Sequence, residues 1–191
     1  MDTPLKYEKQ LLRNRIKKEF LKYNAEELQH LSRLALKKAE QSEWFAGAKK
    51  IACYYPLPDE VTTIEFIEKW AEEKEIYLPV ILSNSRMEVR RFNPGDKLCY
   101  NQYLIPEPLE GKGCNPNETE LFLVPGIAFD RSLHRLGRGK GYYDRLLAST
   151  KAKKIGLCFD FQLLDILPHD THDVVMDAVF TPEEYIRHSI E

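Results

Sequence analysis

The sequence lacks the features that mark membrane, exported and disulfide-stabilised proteins. No apolar run approaches the roughly 20 residues of a transmembrane helix, and the longest stretch, residues 76–82, contains a proline. The first residues lack the apolar core of a secretion signal, so we expect none. Four cysteines lie far apart without a CxxC pair, which predicts reduced thiols in a cytoplasmic protein.

A strong net charge of either sign is also lacking. The formal net charge is −2, which gives no global argument for a nucleic-acid partner. Residues 131–154 hold eight Lys or Arg and one acid, whereas residues 159–191 hold eight acids and one Arg. Such segments could bind a polyanion together with a metal ion, or they could be solvated faces that partly neutralise each other.

What is present is an ordinary globular composition. The chain has 191 residues, 43% of them hydrophobic and 30% charged, which excludes global disorder, collagen and a disulfide scaffold. A chain of this length buries roughly two-thirds of its unfolded surface, enough for a substantial core. We therefore expect a single domain over residues 1–191.

The hydrophobic pattern predicts two N-terminal helices followed by alternating strands and helices. Pro4 is a favourable helix start, and Asn24 with Glu27 forms a capping-box pattern for a second helix that runs to about Trp44. The remaining predicted elements are strands near 51–55, 76–80, 87–92, 121–124, 155–159 and 178–180, and helices from 62 or 63 to 70 and near 142–148. This alternation indicates a mostly parallel sheet covered on both faces, with ligands beyond the strand carboxyl ends. Residues 93–119 form a long loop-rich segment, which is typical of a functional or mobile region.

A glycine-rich basic segment, residues 136–144, carries the strongest local signal. Three glycines alternate with Arg138 and Lys140 just before a predicted helix. Glycines let backbone N–H groups approach phosphate, and a helix N-terminus favours an anion. The segment is not a Walker A loop, because Lys140 is followed by Gly141, and its GxGxG spacing is not GxGxxG. The alternative is a flexible solvated turn that happens to be basic.

Several carboxylates are candidate ligands, each with an alternative structural explanation. Asp144 could hold Mg²⁺ bound to the same phosphates, or it could only favour its helix dipole. Asp173 is a possible second carboxylate. His169 and His172 have a spacing that suggests zinc, but their Pro- and Asp-rich turn favours a surface loop. Glu60, just beyond a strand, is a solvated loop residue, a helix cap, or an acceptor for paired N–H donors of a heterocycle.

Further motifs join these residues into one long pattern. In chain order they are Lys9–Arg13, Tyr55–Glu60, Tyr103–Pro108, Val124–Asp130, Arg135–Asp144, Phe159 with Gln162, Pro168, and His172–Asp177. Together they resemble the 5-formyltetrahydrofolate cyclo-ligase family, also called 5,10-methenyltetrahydrofolate synthetases. The stretch from Val124 to Asp144 is the most specific part, whereas the basic helix and the Glu60 motif are weak signals alone.

The resemblance implies a reaction and a fold. The reaction converts 5-formyltetrahydrofolate and ATP, with Mg²⁺, into 5,10-methenyltetrahydrofolate, ADP and phosphate. The implied fold is a Rossmann-like three-layer α/β sandwich similar to sugar-phosphate isomerases and CoA transferases. The expected ligands are small molecules, with neither nucleic acid nor membrane as a partner, and a monomer is expected.

The resemblance also implies roles for individual residues. It assigns ATP binding to Lys9, Arg13, Arg135, Leu136, Gly137, Arg138, Gly139, Lys140, Gly141, Tyr142 and Tyr143. It implies catalytic roles for Arg138, Lys140 and Tyr143, and Mg²⁺ binding by Asp144 and Asp173. It places the folate near Tyr55, Glu60, Tyr103 and the 137–141 backbone. The sequence departs from the family at Tyr103-Leu104, where Trp or Phe followed by Gly is common.

Two other functions fit the same residues. One is an ATP-dependent ligase or kinase that acts on a different formylated or carboxylated metabolite, for which the Tyr103-Leu104 departure leaves room. The other is a paralogue that binds folate or nucleotide without turnover. The intact Arg138, Lys140, Asp144 and Asp173 argue against the second.

Overall fold

The computed structural model describes residues 4–83, 86–111 and 113–188. Within them the helices are α1 Pro4–Phe20, α2 Ala25–Glu40, α3 Glu43–Gly47, α4 Ile64–Trp70 and α5 Tyr142–Ala148. The first strands are β1 Lys50–Ala52, β2 Glu75–Ile81, β3 Met87–Phe92, β4 Leu98–Tyr100, β5 Pro106–Pro108 and β6 Gly113–Cys114. The later strands are β7 Leu121–Pro125, β8 Ala128–Asp130, β9 Arg135–Leu136, β10 Lys153–Leu157, β11 Leu163–Leu164, β12 Ala178–Phe180 and β13 Tyr185–Arg187.

Eight strands form a central mixed sheet in the order β13-β12-β10-β7-β1-β2-β3-β6. The five strands from β12 to β2 are mutually parallel, whereas β3, β6 and β13 at the edges pair antiparallel. The prediction of a mostly parallel sheet therefore needs correction at the edges. Only residues 82–86 join β2 to β3, and a parallel crossover needs about a dozen residues or more, so this connection forces a hairpin.

The strand order creates a topological switch point between β1 and β7. From β1 the chain moves to β2 on one side, and it later returns to β7 on the other side. The connections that leave the carboxyl ends of β1 and β7 therefore diverge, which opens a crevice between them. The segments 53–63 and 126–144 both begin at this edge.

Each face of the central sheet carries its own core because side chains alternate along the strands. Ile51, Leu121 and Leu123 pack on the face covered by α2, α3 and α4, whereas Ala52 and Phe122 pack on the face covered by α5. A smaller cluster joins α1 to the hairpin formed by β8 and β9; it consists of Ile16, Ile127, Ala128, Leu136 and Leu167.

The predicted N-terminal helices are confirmed, with one correction. The described part of α1 begins at Pro4, and Asn24 caps α2 in a complete capping box with Glu27. The second helix does not continue to Trp44, however, because it ends at Glu40 and a separate short helix follows. Ser42 causes the break: its hydroxyl donates to Ala39 O at 2.7 Å and accepts from Phe45 N at 3.2 Å, which competes with helix continuation.

The predicted helix from 62 or 63 is confirmed as α4, but its threonine does not cap it by a side-chain hydrogen bond. The Thr63 hydroxyl instead donates to Tyr54 O at 2.5 Å, and the Tyr54 hydroxyl donates to Val61 O at 2.9 Å. These two buried bonds tie the end of the loop to its beginning. They thereby fix the position of Glu60 beyond β1.

The loop-rich segment 93–119 contains more regular structure than the sequence predicts. Strands β4 and β5 form a separate hairpin, and β6 joins the edge of the central sheet. In the turn between β4 and β5, Leu104 has φ +59°, a left-handed conformation that favours glycine.

We expect Leu104→Gly to raise the melting temperature by about 1–4 °C, the shift that a net gain of about 0.5–1 kcal/mol produces in a domain of this size. The left-handed conformation costs leucine about 1–2 kcal/mol, of which the greater unfolded-state entropy of glycine offsets roughly half. Leu104 is 77% exposed, so little buried surface is lost. Leu109→Gly, at an exposed leucine without positive φ, is the control and should lower the melting temperature. A lower value for Leu104→Gly would show that no relievable strain is present.

Candidate active site

A cavity of about 450 Å³ lies at the switch point, beyond the carboxyl ends of β1 and β7. Its walls come from four regions: the segment after β1, the ends of β2 and β3, the hairpin of β4 and β5, and the segment from the end of β7 to the start of α5. The lining residues are Tyr54, Tyr55, Leu57, Glu60, Pro79, Ile81, Met87, Tyr103, Ile105, Glu107, Pro125, Gly126, Ile127, Arg135 and residues 137–144.

The cavity brings together most of the residues singled out in the sequence. Tyr55, Glu60, Tyr103, Arg135 and the segment 137–144 all line it. Four others do not line it, namely Lys9, Arg13, Leu136 and Asp173. The Leu136 side chain is buried in the cluster beside α1, so this residue can present only its backbone to a ligand.

The glycine loop, residues 137–141, adopts a conformation that requires glycine. Gly139 has φ +89° and Gly141 has φ +67°, and α5 begins at the next residue, Tyr142. Arg13 of α1 contacts this loop from outside the cavity: its Nε donates a hydrogen bond to Gly137 O at 3.0 Å. The basic helix predicted from the sequence therefore contacts the basic loop directly.

Lys9, one turn before Arg13 on α1, contacts Asp173. Lys9 Nζ lies 2.5 Å from Asp173 Oδ2, and both side chains are less than one-fifth exposed. Burial lowers the pKa of Arg13, with the nearby Asp173 carboxylate opposing that shift. Lys9 and Arg13 therefore share the single carboxylate of Asp173 beside the glycine loop. The excess of positive charge at this place favours an anionic ligand.

Beneath the glycine loop, Arg135 pairs with Asp144. Arg135 Nη2 donates to Asp144 Oδ1 at 2.8 Å, and the two side chains are 5% and 25% exposed. The Arg135 guanidinium also lies over the Tyr143 ring at 5.5 Å, and its Nε has no hydrogen-bond partner among the described residues. A Cβ at Gly137 would lie 2.7 Å from Arg135 Nη1, so glycine there leaves room for the guanidinium.

Across the cavity, Arg138 contacts Asp59 and Glu60. Arg138 Nη2 pairs with Asp59 Oδ1 and lies 3.1 Å from Glu60 Oε1, while Leu57 N donates to Glu60 Oε2 at 3.0 Å. Burial raises the pKa of Glu60, although Arg138 opposes that rise. The loop cation and the predicted heterocycle acceptor are therefore in direct contact.

Two tyrosines of the site, Tyr142 and Tyr143, have raised pKa values. Burial first, and then the Glu60 carboxylate, raise the pKa of Tyr143 well above its ordinary value. The neighbouring Tyr103 raises the pKa of Tyr142. Tyr143 can therefore donate or accept hydrogen bonds at neutral pH, but it is not a phenolate base.

Two acidic residues of the site were missed by the sequence analysis. Asp59 pairs with Arg138 across 79 positions of the chain, a separation that no local pattern reveals. Glu107 is 6% exposed, and its Oε1 accepts from Ile81 N at 2.9 Å and Asn101 Nδ2 at 2.6 Å. The available signals were its place between two prolines and within the Tyr103–Pro108 motif, and neither distinguishes a buried carboxylate from a solvated one.

Within the described ranges no group of three or more His, Cys, Asp or Glu residues could hold a metal ion by itself. Asp144 and Asp173 each lie beside a cation instead.

None of the helices among the described residues is long and apolar enough to cross a membrane. The arrangement as a whole suits a ligand with anionic groups at the glycine loop and N–H donors toward Glu60.

Comparisons with known proteins agree on one family. Residues 5–182 match the 5-formyltetrahydrofolate cyclo-ligase family. A probable 5-formyltetrahydrofolate cyclo-ligase of Schizosaccharomyces pombe is 35% identical over 167 residues, 78% of this chain and 81% of the relative. The NMR structure of Aquifex aeolicus 5,10-methenyltetrahydrofolate synthetase superimposes with a TM-score of 0.86 at 34% identity over 96% of both chains. The 5,10-methenyltetrahydrofolate synthetase of Mycoplasma pneumoniae gives a TM-score of 0.74 at 27% identity over 91% of this chain and 98% of that one. The chain belongs to the 5-formyltetrahydrofolate cyclo-ligase family, whose members are ATP-dependent enzymes.

Proposed function

We propose that this protein converts 5-formyltetrahydrofolate and ATP into 5,10-methenyltetrahydrofolate, ADP and phosphate. The main support for the proposal is that Arg138, from the glycine loop, contacts the buried Glu60 within one cavity. One wall can then hold the ATP phosphates while the opposite wall accepts the N–H donors of the pterin. The family membership supports the same reaction.

The proposed chemistry needs positioning and charge more than a protein nucleophile. The formyl oxygen attacks the γ-phosphorus and ADP leaves, which converts a poor leaving group into a phosphate ester. The folate N10 then attacks the activated formyl carbon and loses its proton to water, the ring closes, and phosphate departs with that oxygen. Enzymes accelerate such transfers by aligning the reactants and stabilising phosphoryl charge, and no Ser or Cys nucleophile is needed.

We propose roles for the predicted residues from their positions. Arg138 and Lys140 line the cavity and can stabilise the transferring phosphoryl group, while the neutral Tyr143 can donate a hydrogen bond there. The remaining glycine-loop residues, with Arg13 and Lys9 behind them, would hold ATP. Tyr55, Glu60 and Tyr103 would hold the folate.

We propose that Asp144 and Asp173 hold Mg²⁺ with the ATP phosphates. Two carboxylates suit this ion, which prefers oxygen ligands and usually completes its shell with phosphates and water. Each carboxylate is partly exposed and paired with a cation, so ATP phosphates could draw the cations away. When bound, the ion would neutralise phosphate charge.

Other features of the whole chain stay predictions. We propose a single domain over residues 1–191 with a Rossmann-like three-layer arrangement, which the five parallel central strands and the two packed sheet faces support. A monomer and a cytoplasmic location are also expected. The expectation of a cytoplasmic location rests on the sequence, in which four cysteines lie far apart without a CxxC pair.

A single assay tests the proposed function. The protein is mixed with 5-formyltetrahydrofolate and MgATP, and methenyltetrahydrofolate is followed by its near-ultraviolet absorbance. A rise in absorbance supports the cyclo-ligase. Loss of ATP without that rise indicates another substrate, and ligand binding without either change indicates a non-catalytic paralogue.

We expect Glu60→Gln to weaken binding of 5-formyltetrahydrofolate about tenfold or more, while binding of MgATP changes little. The substitution replaces one acceptor oxygen by an NH₂ group that faces donors, which leaves polar groups unpaired. Calorimetric titration of each ligand measures the two affinities. Glu65→Gln is the matched control, since Glu65 also pairs with an arginine, Arg33, but is exposed and outside the cavity. Equal weakening of both ligands would remove Glu60 from the folate site.

The raised pKa of Glu60 predicts a pH dependence with a definite sign. Burial keeps this carboxyl protonated to a higher pH than an ordinary glutamate, so folate affinity should fall as pH drops through that raised pKa. Between the ordinary and the raised pKa the folded state binds the extra proton, so this group makes stability decrease as pH rises through the window. Glu60→Gln should flatten both profiles when folate binding without ATP and thermal melting are measured against pH.

A further inference from the structure

Asn101 fixes both ends of the turn that carries Tyr103 to the cavity. Its Oδ1 accepts from Tyr103 N at 2.8 Å and from Ile105 N at 3.1 Å. Its backbone N–H also donates to Ile105 O at 3.0 Å, and its carbonyl accepts from Leu104 N at 3.0 Å. Asn101 therefore makes four hydrogen bonds within the five-residue turn 101–105.

Glu107 connects this turn to the central sheet. Its Oε1 accepts from Asn101 Nδ2 and also from the backbone N–H of Ile81, the last residue of β2. The carboxylate is buried against the cavity wall, where both bonds are shielded from water. A continuous chain of hydrogen bonds thus runs from β2 through Glu107 and Asn101 to Tyr103.

We propose that Asn101 and Glu107 are positioning residues that set the affinity for 5-formyltetrahydrofolate by holding Tyr103 at the cavity. The inference rests on the proposed function and deepens it for one wall of the site. Leu104 supports it, because a left-handed leucine persists only where the surrounding structure holds it, and the Leu104 N–H donates to Asn101 O at 3.0 Å. Without them the turn would have to be ordered when the folate binds, which lowers affinity.

The same placement predicts which ligand is affected. The hairpin of β4 and β5 contributes Tyr103, Ile105 and Glu107 to the cavity, whereas the glycine loop belongs to the segment before α5. Loosening the hairpin should therefore raise KM for the folate and leave kcat and KM for ATP nearly unchanged.

A direct chemical role for Glu107 predicts a different outcome. In a positioning role Glu107 needs only an acceptor oxygen, which the amide of glutamine also provides. In acid–base chemistry its carboxyl proton or its charge is essential. Glu107→Gln therefore separates the two, because it keeps the acceptor and removes the charge.

The experiment measures KM for each substrate, kcat, the folate dissociation constant and the melting temperature for four variants. We expect Asn101→Ala and Glu107→Ala to raise KM and Kd for the folate about tenfold, and Glu107→Gln to restore both toward wild type. Asn117→Ala is the matched control: Asn117 also donates to Ser149 O and accepts from Lys151 N across loops, but it lies outside the cavity.

Three results would overturn the inference in an active wild-type protein. They are an unchanged folate KM and Kd in folded Asn101→Ala, an equal rise of both KM values, and a collapse of kcat in Glu107→Gln. If Glu107→Ala does not fold, Asn101→Ala and Glu107→Gln still decide. A wild-type protein without turnover would instead refute the proposed function, and the folate Kd series would then test the positioning role alone.

Discussion

Replacing Arg138 or Lys140 by alanine should lower kcat by about 100-fold or more, the loss typical when one donor to a developing anionic charge is removed. Both residues line the cavity in the loop proposed to hold the transferring phosphoryl group. The charge they supply matters most in the transition state, so kcat should fall more than the affinity for ATP. Steady-state and single-turnover measurements of methenyltetrahydrofolate formation give both quantities.

The structure adds a difference between the two variants. Arg138 also contacts Asp59 and Glu60, so Arg138→Ala should alter KM for the folate as well, whereas Lys140→Ala should not. Arg33→Ala is the matched control for Arg138, because Arg33 likewise pairs with a carboxylate, Glu65, but lies outside the cavity. Near-normal kcat in both loop variants would refute a phosphoryl-binding role for this loop.

The parts of the fold that were predicted correctly depend on local patterns. The capping box at Asn24 and the helix after Gly141 follow from residues three or four positions apart. The buried strands β7 and β12 are continuous apolar runs, which mark strands covered on both faces, and β1 and β10 overlap the apolar runs predicted near 51–55 and 155–159. Each of these signals is contained within a few residues of the chain.

The parts of the fold that were missed depend on the lengths of the connections between strands or on local bonds that compete with a helix. The antiparallel edges follow from connection lengths, and the helix break at Ser42 follows from a hydroxyl that bonds the backbone on both sides.

Pro79 lies within β2, beyond the last residue paired with β1, so its missing N–H removes no bond on that side.

The candidate site shows the same division. The glycine loop and Glu60 could be predicted because their residue types carry the chemistry in a short stretch. The pairing of Arg138 with Glu60 could not, because it joins segments 78 positions apart. The direction of the Arg135 side chain, inward to Asp144, also depends on the folded loop and on the space above Gly137.

The second large effect concerns the proposed metal ligands. We expect Asp144→Asn and Asp173→Asn each to raise the Mg²⁺ concentration needed for half-maximal activity, with Asp144→Asn shifted about tenfold or more. Without a carboxylate, the oxygen that remains is neutral and holds a divalent cation less strongly. Asp144 should matter more, because it lines the cavity and Asp173 does not. Calorimetric titration of ATP with and without Mg²⁺ provides a readout independent of turnover.

Stability separates the metal role from the structural one. Asp144 neutralises the buried guanidinium of Arg135, and breaking such a pair outright typically costs about 3–5 kcal/mol. Asparagine keeps an oxygen acceptor for Arg135. We therefore expect Asp144→Asn to cost less than that range and to lower the melting temperature by a correspondingly smaller amount. If Asp144 acted only on the helix dipole, the cost would be about 0.3–1 kcal/mol and the Mg²⁺ titration would not move.

Asp177→Asn is the control that makes this distinction sharp. Asp177 is 29% exposed, similar to Asp144, and it pairs with Lys153 at 3.1 Å outside the cavity. It should lower the melting temperature without shifting the Mg²⁺ titration, because it loses a charge pair but no proposed metal ligand. Asp144→Asn should change both quantities. An unshifted titration in both Asp144→Asn and Asp173→Asn, with melting temperatures lowered as in Asp177→Asn, would mean that these carboxylates only balance Arg135 and Lys9.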